Sequence, residues 1–194
     1  ITVDNIKIND GNIQVFKPTK QKLLSVSDFN LVVENLQLTK ESTGEKLPFS
    51  YDYYEISGKN FFFRPDNVYA FTAKYITTKD GQMSLKDFAM NPLLSYANFP
   101  KYYPKKRNLF DFKSSEMEFK DMVLKEDKIT LTKVRFENPD LNMFTTNVKP
   151  LEKKKSFTYD VQLEDVLFNN AKIHILNPNG TPLFAAGNLT MKIN

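Results

Sequence analysis

The sequence predicts an all-β protein: an elongated, curved antiparallel sheet of repeated hairpins forming a groove. Three observations predict it. A fifteen-residue unit returns without a gap, its apolar residues alternate at period two, and no stretch of ten residues shows an amphipathic helical pattern.

The unit is ITVDNIKINDGNIQV (Ile1 to Val15). It recurs as MEFKDMVLKEDKITL (Met117 to Leu131) and VQLEDVLFNNAKIHI (Val161 to Ile175). Unit positions 1, 3, 6, 8, 13 and 15 are apolar in all three, and position 5 is Asn or Asp. A fourth copy, Phe71 to Leu85, carries Asp80-Gly81 where the first carries Asp10-Gly11; a weaker fifth begins at Ile56, with Phe61, Phe63, Val68 and Ala70 in the apolar places. Apolar pairs on either side of a polar turn are the signature of a hairpin with one apolar face. Asp-Gly supplies the positive φ that a type I′ turn requires. Hairpins are therefore expected at Asp10-Gly11, Asp80-Gly81, Asp127-Lys128 and Asn170-Ala171. In that register Ile8 faces Ile13, Ile6 faces Val15, Thr78 faces Met83, Leu124 faces Ile129 and Phe168 faces Ile173. Pro65-Asp66 predicts a different or longer loop in the Ile56 copy.

Positions 1 and 3 are odd and positions 6 and 8 even, so the alternation skips once at position 5. A β-bulge changes parity while keeping the apolar face in place. Bends are expected at Asn5, Asp121 and Asp165, and a bend repeated in every unit curves the sheet.

The remaining chain fits this plan. Leu23 to Leu38 repeats the first half of the unit with Asn35 at position 5, and Thr39 to Lys46 is a charged loop. Aromatic-rich strands resume at Tyr51. Within Met90 to Asn108, Pro92, Pro100 and Pro104 forbid a central strand and predict a crossing loop with one helical turn. Lys149 to Lys155 is a second basic loop, and Gly187 to Ile193 is the last strand. Residues 1–194 are expected to be a single β-repeat unit, a segment of a longer protein, since the chain opens at Ile1 without Met or signal peptide.

Composition narrows the function. Seventeen Phe and nine Tyr against six Gly exclude a disordered chain. No run reaches the ~20 apolar residues of a membrane span. A net charge of +4 is too mild to point to nucleic acid. Without cysteine and with one histidine, His174, no zinc site of the usual kind can form. His174 stands at unit position 14, predicted to face solvent opposite the apolar side. There is no GxSxG elbow, no Gly-rich phosphate loop and no paired carboxylates, so no catalytic residue, metal or cofactor is expected. Asn179-Gly180-Thr181 and Asn188-Leu189-Thr190 are sequons of no consequence outside a secreted eukaryotic context. Lys101, Lys105, Lys106 and Arg107, interleaved with Tyr102 and Tyr103, suit contact with a membrane surface; Lys153 to Lys155 form a second basic run.

The phrases NIKINDGNIQVFKP, LLSVSDFNLVVENLQL and MEFKDMVLKEDKITLTKVRFENPDL resemble the AsmA-like proteins of Gram-negative envelopes. That family's sheets are similar to the repeating β-groove of bridge-like lipid-transfer proteins. The resemblance implies a non-enzymatic protein of the cell envelope or periplasm, held to a membrane by a segment absent here. It implies a role in membrane biogenesis or lipid transport between membranes, with phospholipid or other acyl chains and the remainder of the parent chain as partners. On this reading the groove is lined by Ile6, Ile8, Ile13, Val15, Met122, Leu124, Ile129, Leu131, Val166, Phe168, Ile173 and Ile175. A sheet apolar on one face must cover that face with something. A closed β-sandwich serving as a structural or adhesive envelope module is the alternative.

Overall fold

The computed structural model describes residues 1–38, 49–106, 108–125, 128–146, 160–177 and 179–193; for Leu124, Lys125, Asp160 and Val161 it describes the backbone alone. The chain forms one large sheet in which strands lie in sequence order. β1 (Thr2–Phe16), β2 (Lys22–Gln37), β3 (Tyr53–Phe63), β4 (Tyr69–Lys79), β5 (Gln82–Pro92) and β6 (Asn108–Lys120) are antiparallel neighbours. β9 (Lys133–Glu137) and β10 (Asp140–Thr145) lie side by side with β6, then β12 (Val166–Leu176) and β13 (Pro182–Ile193) complete the order. A small sheet of β7 (Val123–Lys125), β8 (Lys128–Leu131) and β11 (Asp160–Leu163) continues three of these strands past a bend. Register shows the continuity. Val123↔Thr130, Phe119↔Val134 and Lys113↔Asp140 belong to one unshifted antiparallel ladder. Likewise Lys128↔Asp160, Val134↔Val166 and Asp140↔Lys172 keep one parallel offset. That parallel pair is the one departure from the expected antiparallel order. β10 and β12 are not joined by a tight turn, and the residues between them include 147–159, outside the described set.

Asp80-Gly81 is the expected hairpin turn: both residues have positive φ, 42° and 75°, and Thr78 faces Met83. Leu124 faces Ile129 as predicted; Lys128 of the expected Asp127-Lys128 turn pairs with Lys125 inside the ladder, and Asp127 lies outside the described residues. The β3–β4 connection is the longer loop expected at Pro65-Asp66, closed by the Asp66 carboxylate accepting from Val68 N (2.7 Å) and Tyr69 N (2.9 Å).

Asp10-Gly11 and Asn170-Ala171 are not turns. β1 and β12 run straight through them, and register shifts mark bulges at both. Ile8 faces Leu31 and Ile13 faces Val26, not each other; Ile6 faces Val33, Val15 faces Leu24, and Phe168 faces Met191. The physical difference is one dihedral. Two successive left-handed residues reverse a chain, whereas a single one, Asp10 (φ 51°) or Asn170 (φ 55°), only bends it. Ala171 could not supply the second. Because β12 does not turn back, the last strand starts at Pro182, earlier than Gly187.

These bends form a row. Among the described residues twelve non-glycines have positive φ, and all but Lys20 are Asp or Asn. Asp10, Asp28, Asn60, Asp87, Asn138, Asn170 and Asn188 stand at one level across the sheet. Polar bonds run along it: Asn60 Nδ2 donates to Ser27 Oγ (3.0 Å), Asn138 Nδ2 to Ser115 Oγ (2.9 Å) and Asn170 Nδ2 to Asn138 Oδ1 (2.7 Å). Asn35, Asp121 and Asp165 have positive φ at a second level, where β6 and β11 break off as expected. Asn5 does not follow. It pairs with Glu34 in unbroken register, and the bend at that level falls on the facing strand, at Asn35.

Each bend shifts parity so that the same face stays apolar on both sides of it. Replacing Asn170 by Val, which resists the left-handed region, is expected to cost about 1–2 kcal/mol in urea denaturation. The same change at Asn169, outside that region, should cost less.

An apolar face with an aromatic floor

Facing residues in adjacent strands share a face, so the register reads out the whole surface. On one side lie Ile6, Ile8, Ile13 and Val15, beside Val33, Leu31, Val26 and Leu24. Ile56 and Phe63 follow in β3, then Ile76 and Phe71 in β4, and Leu85 and Met90 in β5. Phe112 and Met117 in β6 continue to Leu141 and Phe136, which face Ile173 and Phe168. Glu55, Lys59, Lys86, Glu118 and Arg135 alternate with these on the other side. His174, between Ile173 and Ile175, sits there too, with Nδ1 3.8 Å from Asp140 Oδ1.

Eight of the expected groove residues thus share a surface without converging on a point, and of Leu124 only the backbone is described. Ile6, Ile8, Ile13 and Val15 line the β1 margin. Val166, Phe168, Ile173 and Ile175 line the far side, with Val166 facing Val134 and Ile193. Ile129 and Leu131 belong to the small sheet past the second bend row, and Met122 sits at that break with its N donating to Gly81 O (2.8 Å).

Between the two margins stands a floor that the repeat comparison missed. Phe63–Phe71, Phe71–Phe88, Phe88–Phe112 and Phe112–Phe136 are ring neighbours at 6.1 to 6.4 Å, and Phe136 stacks on Phe168 at 4.8 Å. This aromatic run crosses six strands, about 25 Å at the usual strand spacing. Beneath the rings Ala73, Leu85 and Met117 are buried. Period-two alternation with one skip, in Met83–Leu85–Phe88–Met90, is the signal that would have found it.

No described element packs across this face. The crossing loop, with its short helix α1 (Phe99–Tyr102), covers the opposite one. Phe99 packs on Val68 and Leu109, and Tyr96 stacks on Phe144 at 4.9 Å. Leu109 and Phe144 stand three residues from Phe112 and Leu141 in unbulged strands, hence on the other side. The apolar face stays open at its margins, where Ile8 is 40%, Val15 42% and Phe184 50% exposed.

Within it is a defined cavity of about 340 Å³, lined by Leu31, Val33, Leu36, Phe49, Tyr51, Tyr54 and Ile56. Tyr51 meets Tyr54 edge-on at 5.2 Å. Tyr54 Oη is tied off by Thr78 Oγ1 (3.1 Å) and Gly81 N (3.3 Å). Partial burial, then Tyr54 and Asp80, push the Tyr51 phenol above its ordinary value, so this wall stays neutral. Of the proposed membrane-contact residues, Lys101, Lys105 and Lys106 are exposed on the crossing loop; Arg107, like Lys153 to Lys155, lies outside the described residues. Among the described residues no group of three His, Cys, Asp or Glu could hold a metal ion, and no helix is long and apolar enough to cross a membrane. No protein-family model, curated protein or solved structure matches this chain.

Proposed function

We propose that the open apolar face accommodates lipid acyl chains, and that the protein is a non-enzymatic carrier or conduit of lipid in a cell envelope, as the AsmA-like resemblance implies. The observation that carries this reading is the aromatic floor, apolar across six strands and roofed by no described element. Contiguous exposed apolar surface beyond a few hundred Å² marks a binding site in soluble proteins. Acyl chains fit its chemistry: they need area and offer no hydrogen bonds, and the floor supplies area and asks for none.

Energetics favour sliding over trapping. Each CH₂ moved from water into the trough gains about 0.8 kcal/mol, but a chain arriving from a bilayer is already in hydrocarbon. The transfer is close to balanced, and the polar headgroup can stay in water at the open margin. A photoreactive phenylalanine analogue tests this face by face. Placed at Phe88, on the floor, it should form adducts with phospholipid in membrane extracts; at Lys86, on the outer face of the same strand, it should form few. Equal labelling at the two positions, or none at Phe88, would overturn the reading.

A further inference from the structure

We propose that one end of the sheet is a docking rim for an anionic lipid surface. Three connections meet there: β1–β2, β3–β4 and the β5–β6 crossing loop. The first brings Lys17 and Lys20, with Lys22 at the start of β2 beside them, and the second brings Arg64. The crossing loop adds Lys101, Lys105 and Lys106. The only carboxylate in the described part of these connections is Asp66, already engaged by two backbone amides. Seven basic side chains against one acid leave an excess of six, more than the +4 of the whole chain. The charge is therefore concentrated at this end and does not follow from composition.

Ion pairing separates the two ends. At the opposite end Lys79 pairs with Glu55, Lys133 with Asp121 and Lys192 with Asp165. None of the seven rim cations has a carboxylate partner among the described residues. Lys17 Nζ donates to Pro65 O (3.1 Å), which joins the first two connections, and Lys106 lies over the Tyr103 ring at 5.3 Å. Tyr102 is 68% exposed and Phe16 52% exposed, so amphipathic and apolar rings stand among ammonium groups that have no carboxylate partner among the described residues. Rings at headgroup level with lysines reaching lipid phosphates are the chemistry of a bilayer interface. The arrangement would present the trough end-on to the membrane. It does not depend on what the trough holds, so rim and floor can fail separately.

The test is sedimentation with vesicles of phosphatidylcholine alone or of phosphatidylcholine and phosphatidylglycerol in equal parts. The full chain should bind the anionic vesicles, be released by high salt, and ignore the neutral ones. Replacing Lys22, Lys101, Lys105 and Lys106 together by Glu should weaken binding by about two orders of magnitude, given the contribution of each basic residue near an anionic surface. A control of equal charge, Lys7, Lys74, Lys120 and Lys172 to Glu, should stay within about threefold of wild type, as the short-range surface potential requires. Circular dichroism checks that both variants fold. Equal loss in the two variants, equal binding to neutral vesicles, or displacement of the protein from vesicles by a single-stranded oligonucleotide would each overturn the proposal.

Discussion

Truncating Leu109 to Ala is expected to cost about 3–4 kcal/mol, the range for a fully buried leucine whose cavity cannot collapse. Leu109 is 0% exposed and, with Val68, holds Phe99 of the crossing loop. The same kind of truncation at Ile8, 40% exposed on the open face, should cost under about 1.5 kcal/mol, because much of that side chain already meets solvent. Urea denaturation of the two variants reads the asymmetry directly. Comparable losses would mean that Ile8 is covered by a layer as dense as the one over Leu109.

The second large effect separates stability from binding. Leu31 lines the cavity between Ile8 and Ile56, and its side chain is only partly buried. Leu31→Asp should leave the far-ultraviolet circular dichroism of wild type, since the carboxylate can keep its water in an open trough. It should lower bound lipid severalfold, because a hydrated charge then sits where an acyl chain would lie. In a closed core the same charge would be stranded, and losses beyond about 4–5 kcal/mol would unfold the chain. Unfolding of this variant would thus argue for the sandwich-type module.

Much of this architecture was legible in the sequence. The unit, its single apolar face and the recurrent Asx bends follow from period-two alternation with one skip, which a strand must satisfy to keep one face dry. Turns were harder. A hairpin and a bulge leave the same trace, apolar residues five apart with Asx between them, so Asp10-Gly11 and Asp80-Gly81 look alike although only the second reverses the chain. What decides is non-local. β2 lies alongside β1 over its whole length and pairs residues on both sides of the bulge. Ala171 did carry a local clue, since a type I′ turn would have put it in the left-handed region. Asn5 shows the converse limit: the bend expected there is absent, and positive φ falls instead on the facing strand at Asn35, a choice a ladder cannot announce. The aromatic floor escaped because it lies in the less regular copies, where Phe replaces the aliphatic residues that made the repeat visible. The margins of the groove were therefore found from the repeat, and its centre from the register.

If the open face holds lipid, the protein itself should carry it, and its lipid content is the quantity to measure. The full chain, incubated with membranes and purified in a detergent-free buffer, is extracted with organic solvent and the extract examined by mass spectrometry. Phospholipid in at least equimolar amount is expected, reduced severalfold in Leu31→Asp. A folded wild-type protein that repeatedly yields no lipid above the level of an unrelated β protein would contradict that expectation.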